Sequence, residues 1–221
     1  MTKLSQAKTM GGVGSILMLL VPFLALTSFA TPTIIFSGLI VVINVILGLI
    51  GLVGVVLILV AVKQISDAVN DREIFNNVLM AVIIQIVGGV IVAFAAIVIG
   101  GLSAIFAVPD MRGGDVFTIL RVAVFTILSV LVVALIGTWI VLIVSAWFLR
   151  KGYELIAAKT GTEIFRKVGR WYYYGAWLVI VLAGFIISFI ASILQVVAFF
   201  SLPESPPPQP TPQQPSGVQP L

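Results

Sequence analysis

Five apolar runs, each long enough to cross a hydrocarbon layer as helix, occupy most of this 221-residue chain: residues 11–29, 34–62, 78–108, 122–149 and 177–200. A bilayer core about 30 Å thick needs about 20 helical residues, because no water is present there to satisfy backbone N–H and C=O groups. Several runs exceed that length, so their helices should tilt or project past the core. The apolar content bears this out: 61% of residues are hydrophobic and 9% charged, whereas soluble domains carry about a quarter charged residues. The expected fold is therefore all-α, a polytopic membrane helix bundle of about five transmembrane helices. Residues 11–203 form the bundle, between an N-terminal segment (1–10) and a Pro/Gln-rich tail (204–221).

The first run is preceded by Lys3 and Lys8 and followed by Ala30-Thr-Pro-Thr33. Ser28-Phe29-Ala30 has the small residues of a signal cleavage site, yet the apolar stretch is longer than the 7–15 residues usual for a signal peptide. It reads as a retained span. Orientation follows from Lys and Arg, which stay on the cytoplasmic side when they lie in short loops. Lys3, Lys8, Lys63, Arg72, Arg150, Lys151, Lys159, Arg166, Lys167 and Arg170 share one side, and Arg112 and Arg121 take the other. Five crossings then give a cytoplasmic N-terminus and an extracellular tail in the plasma membrane.

The segments after the second and fourth runs resemble each other. Each has a basic residue at the membrane exit (Lys63 or Arg150), an acid four residues later (Asp67 or Glu154), and Glu-Ile-Phe-x-x-Val at 73–78 and 163–168. This is a parallel two-helix internal repeat. Asn70-x-x-Glu73 and Thr160-x-x-Glu163 have capping-box spacing, with Asn70 and Thr160 expected to cap the next helix and Glu73 and Glu163 to reach back. The pairs Arg150 with Glu154 and Glu163 with Lys167 each add about a few tenths of a kcal/mol.

Four stretches together resemble a family of archaeal multi-pass membrane proteins known only as a domain of unknown function. They are Leu4-Ser-Gln-Ala-Lys8 leading into Gly11-Gly-Val-Gly14-Ser-Ile-Leu17, Ile65-Ser-Asp-x-x-Asn-Asp-x-x-Ile-Phe-Asn-Asn77, Tyr153-Glu-Leu-Ile-Ala-Ala-Lys-Thr-Gly161, and Ala198-Phe-Phe-Ser-Leu-Pro203. The resemblance covers nearly the whole chain up to Pro203. It implies an archaeal plasma-membrane protein and brings no catalytic residues with it.

Chemistry is constrained by what the chain lacks. With no Cys and no His, thiolate nucleophiles, the commonest metal ligand and the commonest general base are absent. No Asp, Glu, Lys or Arg lies at mid-depth in a run, so carboxylate-coupled ion pumping has no residue to use. No cofactor, metal or catalytic residue is expected. Gly48-x-x-Gly51-x-x-Gly54 lacks the strand and Lys of a phosphate loop and reads as close helix packing, as does Gly184-x-x-x-Ser188-x-x-x-Ser192. Asn44, Gln85 and Gln195 are the strongest intramembrane polar residues. They suit interhelical hydrogen bonds of about 0.6 kcal/mol, or alternatively a solute path.

The net charge is +4. The basic residues sit at span ends, so the expected partners are lipids with anionic headgroups rather than nucleic acid. Arg166, Lys167, Arg170 and Trp171, followed by Tyr172-Tyr-Tyr174, read as an interfacial belt. The tail is expected to be a solvated spacer with polyproline II bias. Functionally this describes an accessory or scaffold protein, not an enzyme, that meets lipids, other membrane proteins or further copies of itself. The alternative is a small-solute transporter or channel at the repeat interface. A continuous polar cavity would favour transport, and an apolar interior with a groove would favour scaffolding.

Overall fold

The computed structural model describes residues 2–30, 37–111 and 115–204. Among these the chain forms no strand and six α-helices: α1 (Lys3–Ala30), α2 (Ser37–Ala68), α3 (Arg72–Met111), α4 (Val116–Thr160), α5 (Ile164–Leu178) and α6 (Ala183–Phe200). A 3-10 turn, Val179–Val181, separates the last two. Val45–Ala68, Arg72–Ser103, Val116–Thr160 and Ala183–Phe200 are long and apolar enough to cross a bilayer, counting described residues alone. Phe117, Phe125 and Ile97 expose 81%, 70% and 72% of their surface, which water would penalise and lipid does not. The fold is a helical membrane bundle.

The helices pair as three antiparallel hairpins. In the first, α1 meets α2 where Gly14 and Gly54 face each other: a Cβ on Gly14 would lie 2.8 Å from the Gly54 carbonyl oxygen. In the second, valines of α3 and α4 enter the glycine gaps of the opposite helix, Val141 at Gly88 and Val92 at Gly137. Ser145 Oγ donates to the Ala81 carbonyl at 3.0 Å. The third hairpin joins α5 to α6, with Tyr172 and Ser192 hydroxyls 3.0 Å apart and Ser188 against Gly175.

All three hairpins converge at one end, the base. There Leu4, Val62, Ile65, Ile74, Val78, Ile156 and Val168 are buried, and an aromatic chain joins α4, α5 and α6: ring centroids are 5.6 Å apart for Tyr153 and Phe165 and 5.2 Å for Phe165 and Phe199. Residues from each stretch behind the family resemblance, Leu4, Ile65, Tyr153 and Phe199 among them, lie in this one core.

Several expectations are corrected. Residues 177–200 are not one continuous helix. The helix ends at Leu178, tightens into Val179–Val181, and reverses at Leu182, whose φ is 62°. α6 then runs back along α5 to the base, where Thr2 Oγ1 donates to the Glu204 carbonyl at 2.6 Å. The two ends of the described chain therefore meet. Residues 205–221, which carry most of the expected tail, lie outside the described residues, as does Arg112. The helices that follow the two elbows differ in length, α3 having 40 residues and α5 having 15.

The expected caps are replaced as well. Asn70 has φ 53° and closes α2 as a left-handed residue instead of opening α3, an allowed role for Asn. Asp71 opens α3, its Oδ1 accepting from the Glu73 N–H at 3.0 Å. Thr160 is the last residue of α4, donating its hydroxyl to the Ile156 carbonyl at 2.8 Å, and Gly161 at φ 72° closes that helix. Glu163 precedes α5 without a side-chain capping bond, its carboxylate instead 2.8 Å from Arg166. No side-chain hydrogen bond of Glu73 back to residue 70 occurs among the described residues. Both breaks fall where the sequence suggested, made by C-terminal left-handed residues in place of capping boxes.

Candidate functional site

A cavity of about 470 Å³ opens where the three hairpins meet, just above the base. Every helix contributes, and the lining is chiefly apolar, from Met18 of α1 and Val55 and Leu59 of α2 to Ala146 and Leu149 of α4 and Ala176 of α5. Its polar members are Gln85, Ser145, Tyr153, Tyr172, Ser188, Ser192 and Gln195, and no Asp, Glu, Lys or Arg lines it.

The hydroxyls are mostly committed to protein. Ser145 bonds to Ala81, Ser192 donates to the Ser188 carbonyl at 2.9 Å, and the Tyr172 hydroxyl therefore donates to Ser192. Gln195, 5% exposed, donates its Nε2 to Ser15 Oγ at 2.9 Å, tying α6 to α1. Its Oε1 accepts no hydrogen bond among the described residues. The Gln85 amide has no hydrogen-bond partner there either.

The sequence singled out Gln85 and Gln195 as intramembrane amides and Ser188 and Ser192 as a packing stripe, and the fold brings all four to this cavity. The Asn44 side chain lies outside the described residues. The Gly184, Ser188 and Ser192 stripe faces α5, where the Gly184 Cα sits against the backbone of Gly175 and Val179. The other stripe divides: Gly54 packs on Gly14, Gly51 is half-buried, and Gly48 has open space beside it. A three-residue spacing turns about 300° round a helix, so these glycines drift off one face. Sequence reasoning missed Ser15, Ser145 and the inward role of Tyr172, which were indistinguishable from ordinary packing residues or belt aromatics.

At the base the belt residues line the exposed side of α5. Arg166, Lys167, Arg170 and Trp171 are exposed or half-buried, while Phe165, Val168 and Gly169 on the opposite face are buried. Arg150 Nε bonds Glu154 at 2.8 Å and its guanidinium lies 5.3 Å from the Tyr173 ring centre. Lys151 stands 3.6 Å over the Trp147 ring. The elbows are tied together by Asp71, also missed from sequence, whose Oδ2 pairs with Lys159 at 3.3 Å while its carbonyl accepts from Ser66 Oγ at 2.7 Å.

Among the described residues no cluster of His, Cys, Asp or Glu could hold a metal ion. With hydroxyls, amides and apolar walls the site can hold and orient a molecule by hydrogen bonding and burial.

No solved structure matches this chain. An uncharacterised protein of Methanocaldococcus jannaschii is 32% identical over 204 residues, covering 91% of this chain and 94% of the relative. The family model for a protein of unknown function, DUF996, matches residues 50–193, a stretch that takes in both elbows, the α3 and α4 hairpin and most of the cavity wall. The expected kinship with archaeal membrane proteins of unknown function thus holds, and the chain belongs to the DUF996 family.

Proposed function

We propose that this protein is an accessory or scaffold protein of the plasma membrane, without catalytic turnover, that engages lipids and neighbouring membrane proteins. The observation that carries this reading is the cavity: its walls are mostly apolar and hold no charged side chain, which suits a lipidic occupant better than a hydrated solute. The belt on α5 supports the same reading, because each exposed basic residue beside an anionic leaflet contributes about 1 kcal/mol.

The base carries ten of the twelve basic residues and faces the cytoplasm, with the N-terminus and Glu204 both on that side. The hairpin of α5 and α6 is re-entrant. From Arg170, the last basic residue of α5, to the reversal at Leu182 is about 18 Å of helix, little more than half of a hydrocarbon core about 30 Å thick.

Topology is tested with single cysteines, which the Cys-free chain allows. Cys at Asn70 and at Glu204 should both react with an impermeant thiol reagent only after the membrane is opened, and Cys at Asp115 should react from outside. Reaction of the Glu204 variant in sealed cells would overturn the re-entrant hairpin. Function is tested by replacing Arg166, Lys167 and Arg170 together with Gln, which should reduce retention of anionic lipid by the purified protein in a salt-dependent way. Solute flux into reconstituted vesicles that disappears on Gln195→Leu would replace the scaffold reading with transport.

A further inference from the structure

We propose that the cavity between the three hairpins is a binding site for one uncharged, hydroxyl-bearing amphiphile with a single apolar chain, a lipid alcohol or monoacylglycerol in chemical class. The inference rests on the lipid-engaging reading above and names the ligand of the cavity.

Charge is the first selector. None of the lining residues is Asp, Glu, Lys or Arg, so a carboxylate, phosphate or ammonium drawn in among these walls would lose its hydration without gaining a counter-charge. The polar groups select next. Ser145, Ser192 and Tyr172 spend their hydroxyl protons on protein acceptors, and Gln195 spends its Nε2 on Ser15. What remains is the Gln195 Oε1, on a side chain 5% exposed, together with the Gln85 amide and the hydroxyls of Tyr153 and Ser188, all in the same lining.

No protein donor reaches the Gln195 carbonyl oxygen among the described residues, so it is left to accept from an occupant of the cavity. Its complement is an O–H. A hydroxyl oxygen can also accept, and the Gln85 amide and the Tyr153 and Ser188 hydroxyls of the same lining can donate. Met18, Val55, Leu59 and Leu149 surround the rest, which fits a hydrocarbon chain. Size sets the chain number: about 470 Å³ lies toward the lower part of the range of about 300–1,000 Å³ for small-molecule sites, suited to a single-chain occupant and too small for a two-chain phospholipid.

The full-length protein in nanodiscs would be incubated with a photoactivatable hexadecanol, and labelled peptides mapped by mass spectrometry. Labelling should saturate and map to α3, α4 and α6 around Gln85, Ser145 and Gln195. Monoolein should compete, and palmitate at neutral pH should compete at least tenfold less well. Gln85→Leu should weaken hexadecanol binding about threefold, and with Gln195→Leu about tenfold, taking each membrane hydrogen bond at about 0.6 kcal/mol. Because Gln85 bonds no other described residue, its loss should leave the thermal midpoint unchanged, which separates ligand contact from packing.

Palmitate competing as well as the alcohol, labelling confined to the outer faces of α3 and α4, or undiminished labelling in the double variant would each overturn the proposal. Retention of anionic lipid by the belt is a separate measurement. Its failure would remove the belt reading while saturable alcohol labelling stood, and the reverse result would remove only the cavity ligand.

Discussion

The α3 and α4 hairpin and the α5 and α6 hairpin are both apolar, and both close through glycines, yet they make their turns by different physics. In the longer hairpin α3 ends at Met111, and Asp115 caps the start of α4, accepting from the Thr118 N–H at 3.0 Å. In the shorter one the reversal falls on Val179, Ile180, Val181 and Leu182. No polar side chain is on hand, so backbone and neighbour must serve. The Leu182 N–H bonds the Val179 carbonyl at 2.9 Å, the Phe185 N–H bonds the Leu182 carbonyl at 3.2 Å, and the Trp139 indole of α4 donates to the Trp177 carbonyl at 3.3 Å. A helix start with a polar residue to hand is capped by that side chain, whereas an apolar turn takes its hydrogen bonds from its own backbone and the surrounding bundle.

The largest effect should come from adding a side chain where the two hairpins differ most in how they close. A Cβ at Gly184 meets the backbone of Gly175, Val179 and Leu178, whereas one at Gly88 meets only the side chain of Val141. Backbone cannot move aside as a side chain can. Gly184→Val should cost at least the upper end of the roughly 1–3 kcal/mol typical of overpacking and detach α6 from α5. Gly88→Ala should fall near the lower end, and Gly48→Ala, with nothing nearby, should be neutral. Thermal unfolding in detergent ranks the three, and equal losses at Gly184 and Gly88 would erase the distinction.

Legibility from sequence follows the same divide. The long helices were readable because apolar runs of that length have one stable form in lipid, and the elbows because Asn70 and Gly161 are polar or glycine punctuation beside charged residues. The reversal at Leu182 was invisible, since Leu-Val-Ile-Val-Leu from 178 to 182 continues the apolar pattern on both sides. Its only trace was Gly175 and Gly184, which sequence cannot distinguish from ordinary packing glycines. The cavity was half legible. Gln85 and Gln195 stood out as amides in apolar runs, but their meeting with Tyr172 and Ser145 depends on the hairpin folding back, and the run of 177–200 as a single crossing placed them otherwise.

Next in size is the neighbour's contribution to the apolar turn. Trp139→Phe keeps a ring beside Trp177, now 5.8 Å away in an edge-to-face contact, but leaves the Trp177 carbonyl without that donor, a loss of about 1 kcal/mol. The expected outcome is faster hydrogen exchange at residues 178–185 with no change along α3, and acceleration spread evenly over both hairpins would argue against a local role. Leu182→Gly should act in the opposite direction and more weakly. It relieves a left-handed residue of a conformational penalty of about 1–2 kcal/mol, part of which the extra freedom of glycine returns, so exchange at the same amides should slow.

The smallest effect belongs to the polar turn of the longer hairpin, where Asp115 is exposed and water competes for its bonds. The Thr118 N–H holds its carboxyl below the usual aspartate value through a side-chain hydrogen bond, with lesser help from Arg121. A carboxyl whose value is lowered by folding stabilises the folded state above its unfolded value near 3.9, and that contribution disappears as pH falls through the lower folded value. Asp115→Asn keeps an acceptor for the cap but cannot ionise, so the start of α4 should hold at pH 7 and lose its acid dependence below about pH 4. Asp115→Ala should fray the first turn at every pH. Hydrogen exchange at Thr118 and Ile119 followed from pH 6 down to pH 3 distinguishes them, and identical acid profiles for the native protein and the Asn variant would show that the cap works through hydrogen bonding alone, with no contribution from its charge.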